Sequence, residues 1–232
     1  MYTSNVIRTN WYIGKGELLM NVKLIGFTPN PEKIPAMAAK LTHSKTKPED
    51  LDKTSDKELK AILEQVTSLG HTSVIEHTNF TFAISDVSRS LTHQLVRHRI
   101  ASYAQQSQRY VDFKEPNYLT PPKIAKNKQM KKAYDDTMKT IWEQYSNLLD
   151  MGIPAEDSRF VLPNAACTNI MVTMNARSLL NFFELRCCQH AQWEIRQLAN
   201  KMLKEVKKVA PTIFKNAGPV CKTKNICPEN KK

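Results

Sequence analysis

Apolar positions from Val22 to Thr28 form a short run between polar residues, which predicts a strand, and a helix follows from about Pro31 to Leu41. Ser55, with Glu58 three residues on, is a capping box that opens a second helix, and Gly70 supplies its stop. From Asn79 to Ser85, NFTFAIS, polar and apolar residues alternate, the pattern of a strand that buries Phe80, Phe82 and Ile84. Ser88 caps a helix through Leu91 and Leu95 to about Val96. The stretch from Pro121-Pro122 becomes a long helix, clearest from Met130 to Met151 and closed by Gly152. Cys167 to Met174 is apolar and β-branched enough for another strand; helices from Ala176 to Glu184 and from His190 to Val209 follow, the last ending before Pro211. These elements predict an α+β fold: long helices packed on a small mixed or antiparallel sheet, in one domain over 22–210. Residues 1–21 form an N-terminal extension, 114–132 a Lys-rich and mobile excursion, and 211–232 a polar, Cys-containing tail.

Composition narrows the function classes. The chain has 232 residues and a net charge of +12, with no eighteen-residue apolar stretch and no signal-peptide pattern, which predicts neither membrane spanning nor secretion. None of its six glycines builds a G-x-G-x-x-G or P-loop. Five cysteines, Cys167, Cys187, Cys188, Cys221 and Cys227, are odd in number and include an adjacent pair, which fits a reducing cytoplasm better than a disulfide framework. The charge is unevenly placed: windows 61–113 and 140–200 contain no lysine, only Arg89, Arg97, Arg99 and Arg109 in the first and Arg159, Arg177, Arg186 and Arg196 in the second. Arginine is a planar fork that matches phosphate and carboxylate, whereas lysine is a hydrated point charge suited to solvated faces. The two windows read either as walls of sites or as more buried stretches whose arginines pair with local acids, and the positive surplus sits outside them.

Three polar clusters carry candidate chemistry. RHRIASYAQQSQRY, from Arg97 to Tyr110, combines forked cations, an imidazole, amides and Ser107, a set able to grip phosphate while reading a planar heterocycle. Only Tyr103 and Tyr110 interleave it, which argues against a nucleic-acid surface. GHTSVIEH, from Gly70 to His77, holds His71, Glu76 and His77 without the spacing of a zinc site, so no metal is expected. In the third, from Asn175 to Glu194, Arg177 and Asn181 share a helical face, as do Arg186, His190 and Glu194 if the helix continues.

Taken in order, these clusters resemble the flavin-dependent thymidylate synthases. Arg97-His98-Arg99, seven residues and Ser107 form that family's R-H-R-x7-S signature, extended by Gln94 before it and Gln108-Arg109-Tyr110 after it. Arg159 with Val161-Leu162-Pro163 matches R-x-V-L-P, and GHTSVIEH matches G-H-x-S/T-x-x-E-H. Asn175 to Leu179, Asn181-Phe182, Leu185-Arg186 and His190 to Glu194 match the C-terminal block, so the likeness spans about 22–210.

The resemblance implies methylation of dUMP to dTMP for dTTP synthesis, with methylenetetrahydrofolate as carbon donor, NADPH as reductant and FAD as hydride carrier. It implies a homotetramer with shared active sites, small anionic ligands, and neither nucleic acid nor membrane as partner. FAD would be held by Ser73, Glu76, Arg97, His98, Arg99, Asn175, Ala176, Arg177, Asn181 and His190. Substrate dUMP would be held by Gln94, Leu95, Val96, Arg97, Gln105, Gln106, Ser107, Gln108, Arg109, Arg159 and Arg186. Arg186 is the catalytic residue, favouring the N3-deprotonated uracil, and His71 lines the face where folate and nicotinamide meet the flavin. The cysteines lie outside the R-H-R-x7-S signature, which predicts no covalent Cys adduct; Ser107 lacks an Asp–His pair to activate it and is a hydrogen-bonding residue. The sequence departs from the pattern at Gln105, where some relatives carry Glu.

Overall fold

A computed structural model of the chain describes residues 12–13, 17–18, 20–223 and 225–227; most of the N-terminal extension and the end of the tail lie outside the described residues. Strands β1 (Tyr12–Ile13) and β2 (Glu17–Leu18) pair antiparallel, Tyr12 opposite Leu18. Strands β3 (Asn21–Phe27), β4 (Asn79–Ser88), β5 (Ser102–Gln105) and β6 (Cys167–Asn175) form a four-stranded sheet in the order β3-β4-β6-β5. The helices are α1 (Lys33–His43), α2 (Asp56–Ser68), α3 (Arg89–Leu95), α4 (Pro122–Ala125), α5 (Lys128–Asp150), α6 (Ala155–Ser158), α7 (Ala176–Arg186), α8 (Trp193–Val209) and α9 (Val220–Thr223). The expected α+β class and small antiparallel sheet are thus present. Thr28 N–H donates to Asn79 O at 3.0 Å, Thr81 and Thr173 hydroxyls meet at 2.9 Å, and Ala176 N–H donates to Thr78 O at 2.8 Å. Rising numbers on one strand meet falling numbers on its neighbour, the antiparallel pattern.

Packing divides the described chain into two compact units interleaved in sequence. One comprises the described residues up to Asn21, Ser85–His93 and Gln105–Ile170; the other comprises Val22–Ile84, Gln94–Ala104 and the described residues from Met171 onward. In the first, Met138 and Trp142 of α5 pack with Ala166, Tyr118 and Tyr134, and Trp142 donates its ring N–H to Phe113 O at 2.8 Å. The Lys-rich stretch 114–132 contains a bridge between Tyr118 and Ala166, helix α4 and the first turn of α5. In the second unit, Phe80, Phe183 and Phe214 meet edge-on at 5.4 and 5.9 Å. Helix α8 adds Ile195, Leu198, Ala199, Met202 and Val206, the 3.6-residue stripe of an amphipathic helix. The beginning of the tail joins this core: Phe214 is buried, and Glu32 accepts from the Thr212 hydroxyl at 2.9 Å and from Ile213 N–H at 3.2 Å.

Ser55 and Ser88 cap their helices as the sequence indicates, and Asn175 adds a third cap. Ser55 Oγ accepts from Glu58 N–H at 3.3 Å, Ser88 Oγ from Leu91 N–H at 3.0 Å, and Asn175 Oδ1 from Ser178 N–H at 2.8 Å. Gly70 and Gly152 end α2 and α5 with φ of +76° and +86°, a backbone region that disfavours a Cβ. Two helical readings need correction. The long helix begins at Lys128, not at Pro121-Pro122, because Asn127 is extended and caps it, accepting from Met130 N–H at 3.0 Å. The shared face of Arg186, His190 and Glu194 does not form. Helix α7 stops at Arg186, His190 sits in a turn, and α8 restarts at Trp193 because the Gln192 side chain takes the free N–H groups of Glu194 and Ile195 at 3.0 and 3.1 Å.

Candidate active site

The turn after α3 sets the R-H-R segment. His98 N–H donates to Leu95 O at 3.1 Å, and the Tyr103 hydroxyl stands 2.8 Å from both Leu95 O and His98 O, tying the turn to β5 with one proton shared between two carbonyls. Burial pushes the Tyr103 phenol up to about 12, so it stays a donor at any physiological pH. With Leu95 fully buried as anchor, Arg97, Arg99 and Ile100 are left exposed.

Helix α7 supplies the opposite wall. Its start is fixed by Thr78, a completely buried residue whose hydroxyl donates to Pro31 O at 2.8 Å while its carbonyl accepts from Ala176 N–H. Ala176, Leu179, Phe182 and Phe183 point into the core. The other face presents Arg177, Ser178, Asn181 and Leu185 at spacings of one, four and eight residues, so they line one side of the helix.

Between these walls lies a cavity of about 650 Å³, lined by Glu76, Arg97, His98, Arg99, Ile100, Asn175, Arg177, Ser178, Asn181, Leu185 and Arg186. Glu76 is its single carboxylate and forms an ion pair with Arg177, both side chains about half exposed. No ion pair ties Arg97, Arg99 or Arg186 to a carboxylate among the described residues, which leaves the cavity with surplus guanidinium charge beside the α7 N-terminus, where helix N–H groups also favour anions. His98 is half-buried, edge-on to Phe182 at 4.9 Å, and its Nε2 accepts from Arg186 Nε–H at 3.1 Å. Burial first, then the adjacent Arg186 charge, pull His98 down to about 4, so the imidazole is neutral and its proton resides on Nδ1.

Of the residues the resemblance assigns to FAD, the structure gathers Glu76, Arg97, His98, Arg99, Asn175, Arg177 and Asn181 around this cavity, together with Arg186. Ser73, Ala176 and His190 are not in its lining, and the Ala176 side chain is buried, leaving only its backbone for a ligand. His71 is exposed in the turn after α2. Gln94, Leu95 and Val96 lie just before the R-H-R turn, outside the lining. The remaining dUMP assignments, Gln105, Gln106, Ser107, Gln108, Arg109 and Arg159, belong to the other unit. There, Arg109 pairs with Glu156 at 2.8 Å, Arg159 Nε donates to Glu156 O at 3.0 Å, and Gln108 is buried. Ile100, Ser178 and Leu185 also line the cavity; Leu185, whose apolar side chain suggests the core side of the helix, is exposed there instead, on the face of Asn181 four residues before it. Arg89, from the first lysine-free window, belongs to the unit of Arg109 and Arg159 too: burial and then the charge of Arg159 hold its guanidinium below its ordinary range, marking two cations in one neighbourhood.

Comparisons with known proteins bear on the family and the fold. The family described as thymidylate synthase complementing protein matches residues 23–212. A flavin-dependent thymidylate synthase of Geobacter sulfurreducens is 50% identical over 213 residues, covering 90% of this chain and 91% of the relative. Its counterpart in Clostridium tetani is 50% identical with the same coverages, and that of Sulfurisphaera tokodaii is 47% identical over 87% of this chain and 79% of its own. Among solved structures, a UMP/dUMP methylase, PolB, of Streptomyces cacaoi bound with 5-Br dUMP shares the fold at a TM-score of 0.70 and 23% identity, over 84% of this chain and 93% of that one.

Proposed function

This chain belongs to the flavin-dependent thymidylate synthases, and from that premise we propose how its own residues carry out the family's reaction. The overall conversion takes dUMP, methylenetetrahydrofolate, NADPH and a proton to dTMP, tetrahydrofolate and NADP⁺. The observation that carries the reading is the cavity at the start of α7, where guanidinium groups outnumber carboxylates and a neutral histidine braces Arg186.

The lining fits FAD by its chemistry. A pyrophosphate dianion meets forked donors and a helix N-terminus, and Ile100 and Leu185 offer apolar contact. Arg97, Arg99, Arg177, Asn175 and Asn181 are the residues that would hold it, with His98 alongside and Ser73, Ala176 and His190 assigned on the motif alone. Bound there, FAD supplies the two-electron transfer between nicotinamide and the one-carbon unit. The protein's own part is binding, orientation and charge. Glu76 orients Arg177 through their ion pair. His98 takes one N–H of Arg186 and, being neutral, leaves the guanidinium its full positive charge. Arg186 is thereby the catalytic residue of the proposal: its charge lowers the cost of removing the N3 proton from uracil and so raises electron density at C5. The dUMP phosphate falls to the forks of Arg109 and Arg159, Gln105 to Gln108 read the nucleoside, and Gln94 to Arg97 complete the dUMP set. We assign His71 to the folate and nicotinamide face, a homotetramer to the assembly and the cytoplasm to the enzyme. Five free cysteines support that compartment.

The test is direct. The purified protein is expected to carry a flavin absorption band that NADPH bleaches, and to yield dTMP when dUMP and methylenetetrahydrofolate are supplied. A colourless protein that neither takes up FAD nor forms dTMP would overturn the reading.

A further inference from the structure

Gln105 is where the nucleotide-binding stretch departs from the family pattern, and its surroundings are specific. It ends β5, half-buried, with its amide nitrogen Nε2 3.2 Å from Thr92 Oγ1 and 3.4 Å from Thr168 Oγ1. Both threonines are almost wholly buried, at 1% and 2% exposure, so neither hydroxyl has water as an alternative. The Thr92 hydroxyl stands 3.0 Å from the carbonyl of Arg89, a group that only accepts, which directs the Thr92 proton there and leaves the Oγ1 lone pairs facing the amide. A primary amide has two N–H donors and one acceptor oxygen. Here the two donors are taken by the two threonines, and no donor among the described residues meets Oε1. Turning the amide over would set Oε1 against the Thr92 oxygen, whose proton is already committed, and would exchange two hydrogen bonds for at most one, from Thr168. A carboxylate in this place could accept from Thr168 but would have to draw the Thr92 proton away from the Arg89 carbonyl.

We propose that Thr92 and Thr168 are positioning residues that hold the Gln105 amide in one orientation, N–H groups toward the threonines and Oε1 toward the ligand. Position 105 then reads a hydrogen-bond donor on the nucleotide. The proposal rests on the assignment of Gln105 to dUMP. That molecule carries two such donors outside its phosphate, the 3′-hydroxyl and the uracil N3–H, and the two are separable by analogue.

The experiment uses the FAD-loaded enzyme. Thr92→Val keeps the shape and removes the hydroxyl, and is expected to raise KM for dUMP by about three- to tenfold, one lost neutral hydrogen bond, while kcat moves less than twofold. Thr92→Ser is expected to restore KM; Thr168→Val serves as a second variant, with the same direction, if Thr92→Val fails to bind flavin. Competitive binding of 2′,3′-dideoxyuridine monophosphate and of N3-methyl-dUMP then identifies the donor. The analogue lacking the group read by Oε1 binds wild type and Thr92→Val alike, and the other keeps the full penalty. A penalty that persists with both analogues, a loss of kcat with KM unmoved, or failure of serine to rescue would overturn the positioning role. Gln105→Ala separates the two levels: if it leaves dUMP affinity unchanged, the assignment of Gln105 to the nucleotide has failed; if it weakens dUMP while Thr92→Val does not, only the role of the threonines has.

Discussion

Asn175 does two jobs that substitutions can separate. Its Oδ1 accepts from Ser178 N–H at 2.8 Å and so caps α7, while the residue also lines the cavity assigned to FAD. Loss of the cap in Asn175→Ala is expected to cost about 1 kcal/mol, within the usual span for removing an Asn cap, and to lower Tm by about 2–4 °C for a chain of this size. Asn175→Asp keeps an acceptor at the cap and adds a negative charge beside the positive end of an eleven-residue helix, so its stability should equal or slightly exceed wild type. The same charge stands in a cavity of about 650 Å³ that is to receive a pyrophosphate, well within about one Debye length of it. At a solvent-connected site the repulsion is about 1–2 kcal/mol, which weakens FAD roughly tenfold or more and fades as salt is raised. Thermal denaturation of the flavin-free protein reads the first effect, and flavin fluorescence titration at two ionic strengths reads the second. The reasoning about the cap fails if Asp destabilises as much as Ala. The anion reading of the cavity fails if Asp binds FAD as tightly as wild type at low salt.

Three further outcomes follow from the same geometry. Arg186→Ala is expected to retain flavin through Arg97, Arg99 and Arg177 while dTMP formation falls about a hundredfold or more; a variant that sheds FAD but turns over normally when FAD is resupplied would show the role to be misassigned. His98, held at about 4 against an ordinary 6.5, binds its proton later in the folded than in the unfolded chain, so its contribution to stability is complete above about pH 6.5 and is lost as pH falls toward 4. Urea denaturation across that range should therefore show an acid slope that His98→Asn reduces, and an unchanged slope in the variant would contradict the neutral-histidine assignment. Thr78→Val strands the Pro31 carbonyl and is expected to cost about 1–3 kcal/mol by chemical denaturation, with Thr78→Ser close to wild type; equal stability of all three would remove Thr78 as the anchor of α7.

Local signals proved readable wherever the physics is local. Ser55 and Ser88 cap helices because a short side chain reaches an N–H three residues away, and no distant partner enters that geometry. Alternation placed Phe80, Phe82 and Ile84 in the core, and the four-residue interval put Arg177 and Asn181 on one face. The misreadings have a common cause. Continuing a helical period through His190 overlooks a restart by Gln192, whose side chain competes for N–H groups that a continuous helix would have used internally. The tail reads as polar because its polar and charged residues together outnumber its apolar ones, yet Phe214 closes the aromatic cluster with Phe80 and Phe183.

By itself, the sequence determined the fold class, most element positions and the family, since each depends on spacing or on the shape of a single side chain. Only the tertiary structure decided which assigned residues share a cavity, that Arg186 leans on a neutral His98 88 residues away in the chain, and that Gln105 faces two buried threonines. Protonation state and amide orientation are fixed by burial and by where a neighbour's proton already points, and neither is encoded in distance along the chain.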